Sequence, residues 1–230
     1  MPFHSRGDAP HPGDPVRQLE PSRAESYDHS MLDFAEARVL GCLIEKSMTT
    51  PEYYPMTVNA LVAACNQRNN REPVVDFDES TVADALASLD RRGLIGITRV
   101  SGGRSLKYAH HATAALRVDD EQLALLGVLL LRGPQTAAEL RTRTDRYVAF
   151  GSVQNAEERL RDLIGRDEPL IEHLQREPGQ KERRYRCLLT EPAAPAVPPA
   201  ARPPVNDLEE RVAALEEALQ QVLRRLDADE

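Results

Sequence analysis

The sequence predicts an α+β fold, mainly helical, and three observations carry that expectation. Apolar residues recur at helical spacing in short blocks separated by Pro, Gly and Asn. Two pairs of short strand-like segments flank glycine-containing turns, the pattern of β-hairpins. The same order, three helices and then a hairpin, occurs twice, in residues 31–115 and again in 116–190.

In the first half, Phe34, Ala37, Val39, Leu40, Leu43 and Ile44 place an apolar face on a helix from about Asp33 to Lys46. Pro51 and Pro55 set off a short second helix, Thr57 to Ala64. Asp78 is a good N-cap for a third, in which Val82, Ala85, Leu86 and Leu89 repeat at helical spacing and Gly93 closes the end. Leu94 to Val100 and Ser105 to Ala109 then flank Ser101-Gly-Gly-Arg104 as strand, turn and strand. In the second half, Leu123 to Leu131 is a strongly apolar helix ended by Gly133-Pro134. Thr136 and Glu139 form a capping box for a short helix to Arg143. Ser152 caps a third, carrying Val153, Ala156, Leu160, Leu163 and Ile164. Leu170 to Arg176 and Arg183 to Leu189 flank the turn Glu177-Pro-Gly-Gln180. Three helices and a hairpin, repeated, is the order of two tandem winged helix-turn-helix domains. The competing reading, helical bundles with incidental hairpins, does not explain why the order matches in both halves.

The ends differ in composition. Residues 1–30 hold five prolines and little apolar content, the character of a disordered tail. Residues 191–204 are mostly Pro and Ala, which favours an extended spacer of up to roughly 40 Å. Beyond it, in 205–230, Val205, Leu208, Val212, Leu215, Leu219, Val222 and Leu226 alternate in steps of three and four, the a/d repeat of a coiled-coil helix. The alternative is one amphipathic helix folded back on the core. The spacer favours self-association as a homodimer.

Several stretches resemble the YceH-like family of bacterial proteins. Leu40-Gly-Cys-Leu-Ile-Glu-Lys46, Thr49-Thr-Pro-Glu-Tyr-Tyr-Pro55, Ala64-Cys-Asn-Gln67 and Asn70-Arg-Glu-Pro-Val74 are similar to its first domain. Leu129-Leu-Leu-Arg-Gly-Pro-Gln-Thr136, Glu139-Leu-Arg-Thr-Arg143 and Arg176-Glu-Pro-Gly179 are similar to its second. The resemblance covers about residues 31–190 and implies a tandem winged-helix fold. It implies no activity, and it brings no catalytic or binding residues with it.

Composition narrows the function classes. Aromatic residues are only 4% of the 230, there is no Trp, and 29% are charged, so the cores are small and aliphatic. No apolar run approaches the ~18 residues a membrane span needs, and residues 1–30 lack a signal-type apolar stretch, so a cytoplasmic protein with no membrane partner is expected. Three cysteines, Cys42, Cys65 and Cys187, are expected as reduced thiols, Cys42 in the core and Cys65 semi-exposed. The six histidines show no metal-ligand spacing, and no phosphate loop or nucleophile–base pair is present. The expectation is therefore no enzyme, no cofactor and no metal.

The formal net charge of −8 argues at first against nucleic acid. Its location reverses that: residues 1–30 and 191–230 carry net −2 and −5, while 31–115 and 116–190 carry −1 and zero. Basic residues in the near-neutral middle cluster in the hairpins. Arg99, Arg104 and Lys107 lie in the first, where Gly102-Gly103 allows close backbone approach to a phosphate; Arg176, Lys181, Arg183 and Arg184 lie in the second. Gln67, Arg68, Asn69 and Arg71 fill the loop between helices two and three, and Gln154 and Asn155 open the second half's third helix; such side chains read base edges. The first half's third helix presents small residues and Asp84, a poor groove reader. In the second half's third helix, Glu158 is expected to pair with Arg159 or Arg161. Two functions follow as expectations: a DNA-binding regulator gripping phosphates through its wings, or a tandem winged-helix adaptor that binds protein.

Overall fold

The computed structural model describes residues 31–99, 105–176, 179 and 182–191. The 1–30 segment, Gly102, Gly103, Arg104, Lys181, most of the second hairpin turn, the spacer and all seven heptad positions lie outside the described residues. The described residues from 31 to 190 form one compact unit.

The fold is α+β, with about half of the described residues helical and two small antiparallel sheets. Helix α1 (Phe34–Thr49) starts at Asp33, whose carboxylate accepts from Glu36 N at 2.8 Å while Glu36 Oε2 accepts from Asp33 N at 2.8 Å. A 3-10 turn (Pro51–Tyr53) leads to α2 (Val58–Cys65), capped by Thr57, and then α3 (Glu79–Arg91), capped by Asp78. Gly93, at φ 70°, turns the chain out of α3. Strands β1 (Ile95–Arg99) and β2 (Leu106–His110) pair with Ile97 opposite Tyr108.

A five-residue helix, α4 (Ala112–Leu116), joins the halves and ends at Arg117 with φ 52°. The second half contains α5 (Asp120–Arg132), the two-residue strand β3 (Gln135–Thr136), α6 (Ala137–Thr144) and α7 (Val153–Ile164). Strands β4 (Ile171–His173) and β5 (Arg184–Cys187) complete a three-stranded sheet in the order β3-β5-β4. Thr136, Glu139 and Ser152 cap as the sequence indicates. The two hairpins share one detail: the residue before the second helix's cap reaches the tyrosine of the hairpin's second strand. Met56 bridges Tyr108, and Gln135 pairs with Tyr185.

Helices α1 and α5 form the centre. Every residue from Leu123 to Leu131 is buried, as are Glu36 to Glu45 in α1. A side chain that is apolar around most of its helix's circumference needs neighbours on all sides, and here each first helix supplies part of the other's cover. A Cβ added to Gly41 would lie 2.9 Å from the Leu131 side chain and 3.2 Å from Leu130, and one added to Gly127 would lie 2.8 Å from Ile44. Contacts advance along α1 as they retreat along α5, so the helices are antiparallel. Gly41 and Gly127 hold the same position relative to their caps, Asp33 and Asp119, as do Ile44 and Leu130. The crossing is thus a local two-fold, with glycine allowing the backbones to approach. Cys65, expected to be semi-exposed, is fully buried: the end of α2 packs under Arg38, whose Nη1 donates to Cys65 O at 3.1 Å.

Candidate nucleic-acid interface

The loop between α2 and α3 owes its position to a buried carboxylate. Glu45 sits on α1 with no exposed surface, amid aliphatic residues where an isolated charge would be very costly. Its Oε2 takes Arg71 Nη2 at 2.5 Å, and its Oε1 takes Arg146 Nη2 at 2.9 Å and Tyr147 OH at 3.1 Å. Burial works to raise the Glu45 pKa, but the Arg71 hydrogen bond and the charges of Arg71, Lys46 and Arg146 more than reverse it, so the carboxyl is held below its ordinary range. Arg71 spends its remaining donors on Ala64 O, Asn70 O and Gln67 Oε1. Arg38 reaches Pro73 O at 2.7 Å, and Glu72 N donates to Leu131 O at 2.9 Å. The 66–73 loop is therefore pinned to both halves from beneath.

Arg71 was expected on a nucleic-acid face and is instead 5% exposed, an internal counter-ion rather than a surface cation. Gln67 is half-buried behind it. Arg68 and Asn69, at the crest of the loop, face solvent. On the first hairpin Arg99 is exposed and Lys107 half-buried; that hairpin packs on α1, α2 and α3 of its own half. Gln154 and Asn155 are exposed at the start of α7, with Asn155 Oδ1 accepting from Ser152 Oγ at 2.7 Å. Arg176 and Arg183 are exposed and form no ion pair among the described residues. Arg184 is half-buried, donating to Pro134 O at 2.8 Å and lying 3.3 Å from Glu139 Oε2. Glu158 does not take the role expected of it. Arg159 reaches across to Glu121 at 2.5 Å and also meets Asp162 at 3.4 Å, because the start of α5 lies closer than the neighbouring turn of α7.

The structure sets arginines that the sequence does not flag beside the 66–71 loop and beside β5. Arg132, at the end of α5, donates to Asn70 Oδ1. Arg143 lies 3.6 Å from Glu139 Oε1, so Glu139 stands between Arg143 and Arg184. Arg132 and Arg143 do sit in the strings that resemble the family's second domain, but only the folded loop shows what they face. The outer face of α3 is the opposite in character. Asp84 and Asp90 are exposed on it, and Asp78 and Glu79 at its start, against Arg91, a surface that repels phosphate. Among the described residues no group of three or more His, Cys, Asp or Glu side chains is placed to hold a metal ion, and no helix is long and apolar enough to cross a membrane.

Fold and site define a duplicated helix-and-hairpin protein whose halves share a core and a buried ion cluster. The chain belongs to the family described as "Protein of unknown function, DUF480", matched over residues 32–180, consistent with the YceH-like resemblance. It is 46% identical over 196 residues to a UPF0502 protein of Geobacter metallireducens, covering 82% of this chain and 88% of that one. It is 43% identical over 207 residues to a UPF0502 protein of Mesorhizobium japonicum, covering 88% and 98%. With a UPF0502 protein of Pelobacter propionicus the identity is 50% over 159 residues, covering 69% and 72%.

Proposed function

We propose that this protein is a tandem winged-helix DNA-binding regulator that holds duplex phosphates mainly through its second half. The observation that carries the reading is the connectivity of that half. A helix, a short strand, two helices and two strands, with the short strand on the outer side of β5, is the winged-helix order, and its hairpin bears Arg176 and Arg183 exposed without ion-pair partners among the described residues. Gln154 and Asn155, exposed at the start of α7, are the side chains placed to read base edges. The role needs no covalent chemistry. Self-association through the heptad positions would place two such units on one duplex.

A second reading rests on one specific observation, the acidic and small-residue face of α3. It favours protein docking by the first half, with the chain as an adaptor that does not bind DNA.

Binding to random duplex across a range of salt separates the two. The DNA reading expects affinity to fall steeply with salt, and the slope to shrink by about 1 for each cation lost in Arg176→Ala and Arg183→Ala. Affinity that ignores salt and both substitutions would overturn it in favour of the adaptor.

A further inference from the structure

Three stretches far apart in sequence meet where the halves join. Asn70, held at φ 62° in the left-handed region that asparagine tolerates, turns Oδ1 toward Arg132 and its carbonyl toward Arg71 Nη1. Arg143, in the last turn of α6, has a buried Nη1 with no hydrogen-bond partner among the described residues. Arg146, one turn further on, touches Glu45 through Nη2 while its side chain stays 54% exposed. Burial and then the charge of Arg143 lower the Arg132 pKa.

The charges there do not balance. Arg71, Arg132, Arg143, Arg146 and Lys46 oppose Glu45, Glu72 and Glu139, and Glu139 is shared with Arg184. Glu45 is saturated by its own donors, so it cannot neutralise Arg132 or Arg143 as well. A native fold seldom leaves a buried N–H unpaired beside a like charge without something that answers both.

We infer that Arg132, Arg143 and Arg146 form a binding site for a phosphate dianion at the junction of the two halves. Guanidinium groups match phosphate oxygens in charge and in paired N–H geometry, and the unsatisfied Arg143 Nη1 is the donor such an oxygen would take. Two sources have this chemistry: a small phosphorylated compound, or the backbone of a nucleic acid. The site does not depend on the hairpin arginines, and it stands if they bind nothing. Because Arg132 also holds Asn70 of the first half, an occupant of the site stabilises the junction itself.

The test titrates the full chain with pyrophosphate, using chloride at matched ionic strength as the control, by calorimetry and thermal unfolding. Random duplex is titrated in parallel. Saturable pyrophosphate binding that raises the Tm is expected. Arg143→Gln and Arg132→Gln should weaken it on the order of tenfold or more, and Arg143→Lys, which keeps the charge but not the paired donors, should restore only part of it. Arg146→Gln, at a half-exposed position, serves if a buried substitution prevents folding. Pyrophosphate binding with this pattern supports the site and identifies a small phosphorylated ligand. Loss of duplex affinity in the same variants, without saturable pyrophosphate binding, supports it and identifies a nucleic-acid backbone. Absence of pyrophosphate binding together with duplex affinity unchanged in all variants overturns it. Arg176→Ala and Arg183→Ala should alter duplex binding alone, so failure of the DNA reading and failure of this site are told apart.

Discussion

His110, at the end of β2, shows how one side chain's partners set its chemistry. Ser47 Oγ donates its only hydrogen to Ile44 O at 2.8 Å, so at 2.9 Å it can only accept from His110 Nε2. Nδ1 is then the bare nitrogen, and it is buried without a partner among the described residues. Burial, followed by the charge of His111, lowers the His110 pKa from 6.5 to about 4. The sign follows directly: between these values the unfolded chain binds a proton that the folded one refuses. Stability is therefore full above about pH 6.5 and falls toward pH 4, by at most about 3 kcal/mol. Glu45 adds to the fall at lower pH. Its folded pKa is depressed, so its contribution is present above about pH 4.3 and is lost as pH drops through the folded value. Urea unfolding at pH 7 and pH 4.5 should show the decline in the wild type and a flatter profile in His110→Asn. An equal decline in both would mean other groups carry the acid sensitivity. The adjacent histidines are visible in the sequence, but the Ser47 contact comes from a residue 63 positions away and is not.

At the scale of elements, the crossing of α1 and α5 decides the architecture. Gly127 meets Ile44 Cγ2, a β-branched methyl with little rotamer freedom, and Gly41 meets Leu131 Cγ and Cδ2 and the Cβ of Leu130. Alanine at Gly127 gains about 1 kcal/mol in helix propensity and loses about 1–3 kcal/mol to overpacking. Gly127→Ala is therefore expected to lower stability by up to about 2 kcal/mol. A higher urea midpoint for Gly127→Ala would show that the helices can separate without cost. Helix starts were legible where a cap stands before an apolar run, at Asp33, Asp78, Thr136 and Ser152. The elements missed are the short ones. β3 is two residues long and exists because Tyr185 pairs with Gln135, and α4 lasts a single turn before Arg117 ends it. Neither is long enough to have a period.

For the whole molecule, charge and connection matter more than any single contact. The acidic excess lies in 1–30 and 191–230, outside the stretch 31–190 that holds both hairpins, so net charge says little about what that stretch binds. The heptad positions, which lie outside the described residues, carry a separate expectation. On the proposal that these positions pair as an a/d seam, a chain ending at Pro204 is expected to associate more weakly than the full chain, on the order of tenfold in dimer constant (about 1.4 kcal/mol) as read by analytical ultracentrifugation. Sedimentation unchanged by the truncation would place self-association elsewhere or nowhere.

The sequence by itself determined the helix caps, the apolar faces, both hairpins and the order in which they repeat, because each is written in residues only a few positions apart. It also exposed the uneven charge. Only the tertiary structure decided that α1 and α5 share one core, that Arg71 is a buried counter-ion, and that Arg132 reaches Asn70 in the 66–73 loop. An arginine reads the same in sequence whether it meets water, a phosphate or a glutamate. Its role is set by which distant carboxylate the fold brings within about 3 Å, and no local pattern encodes that distance.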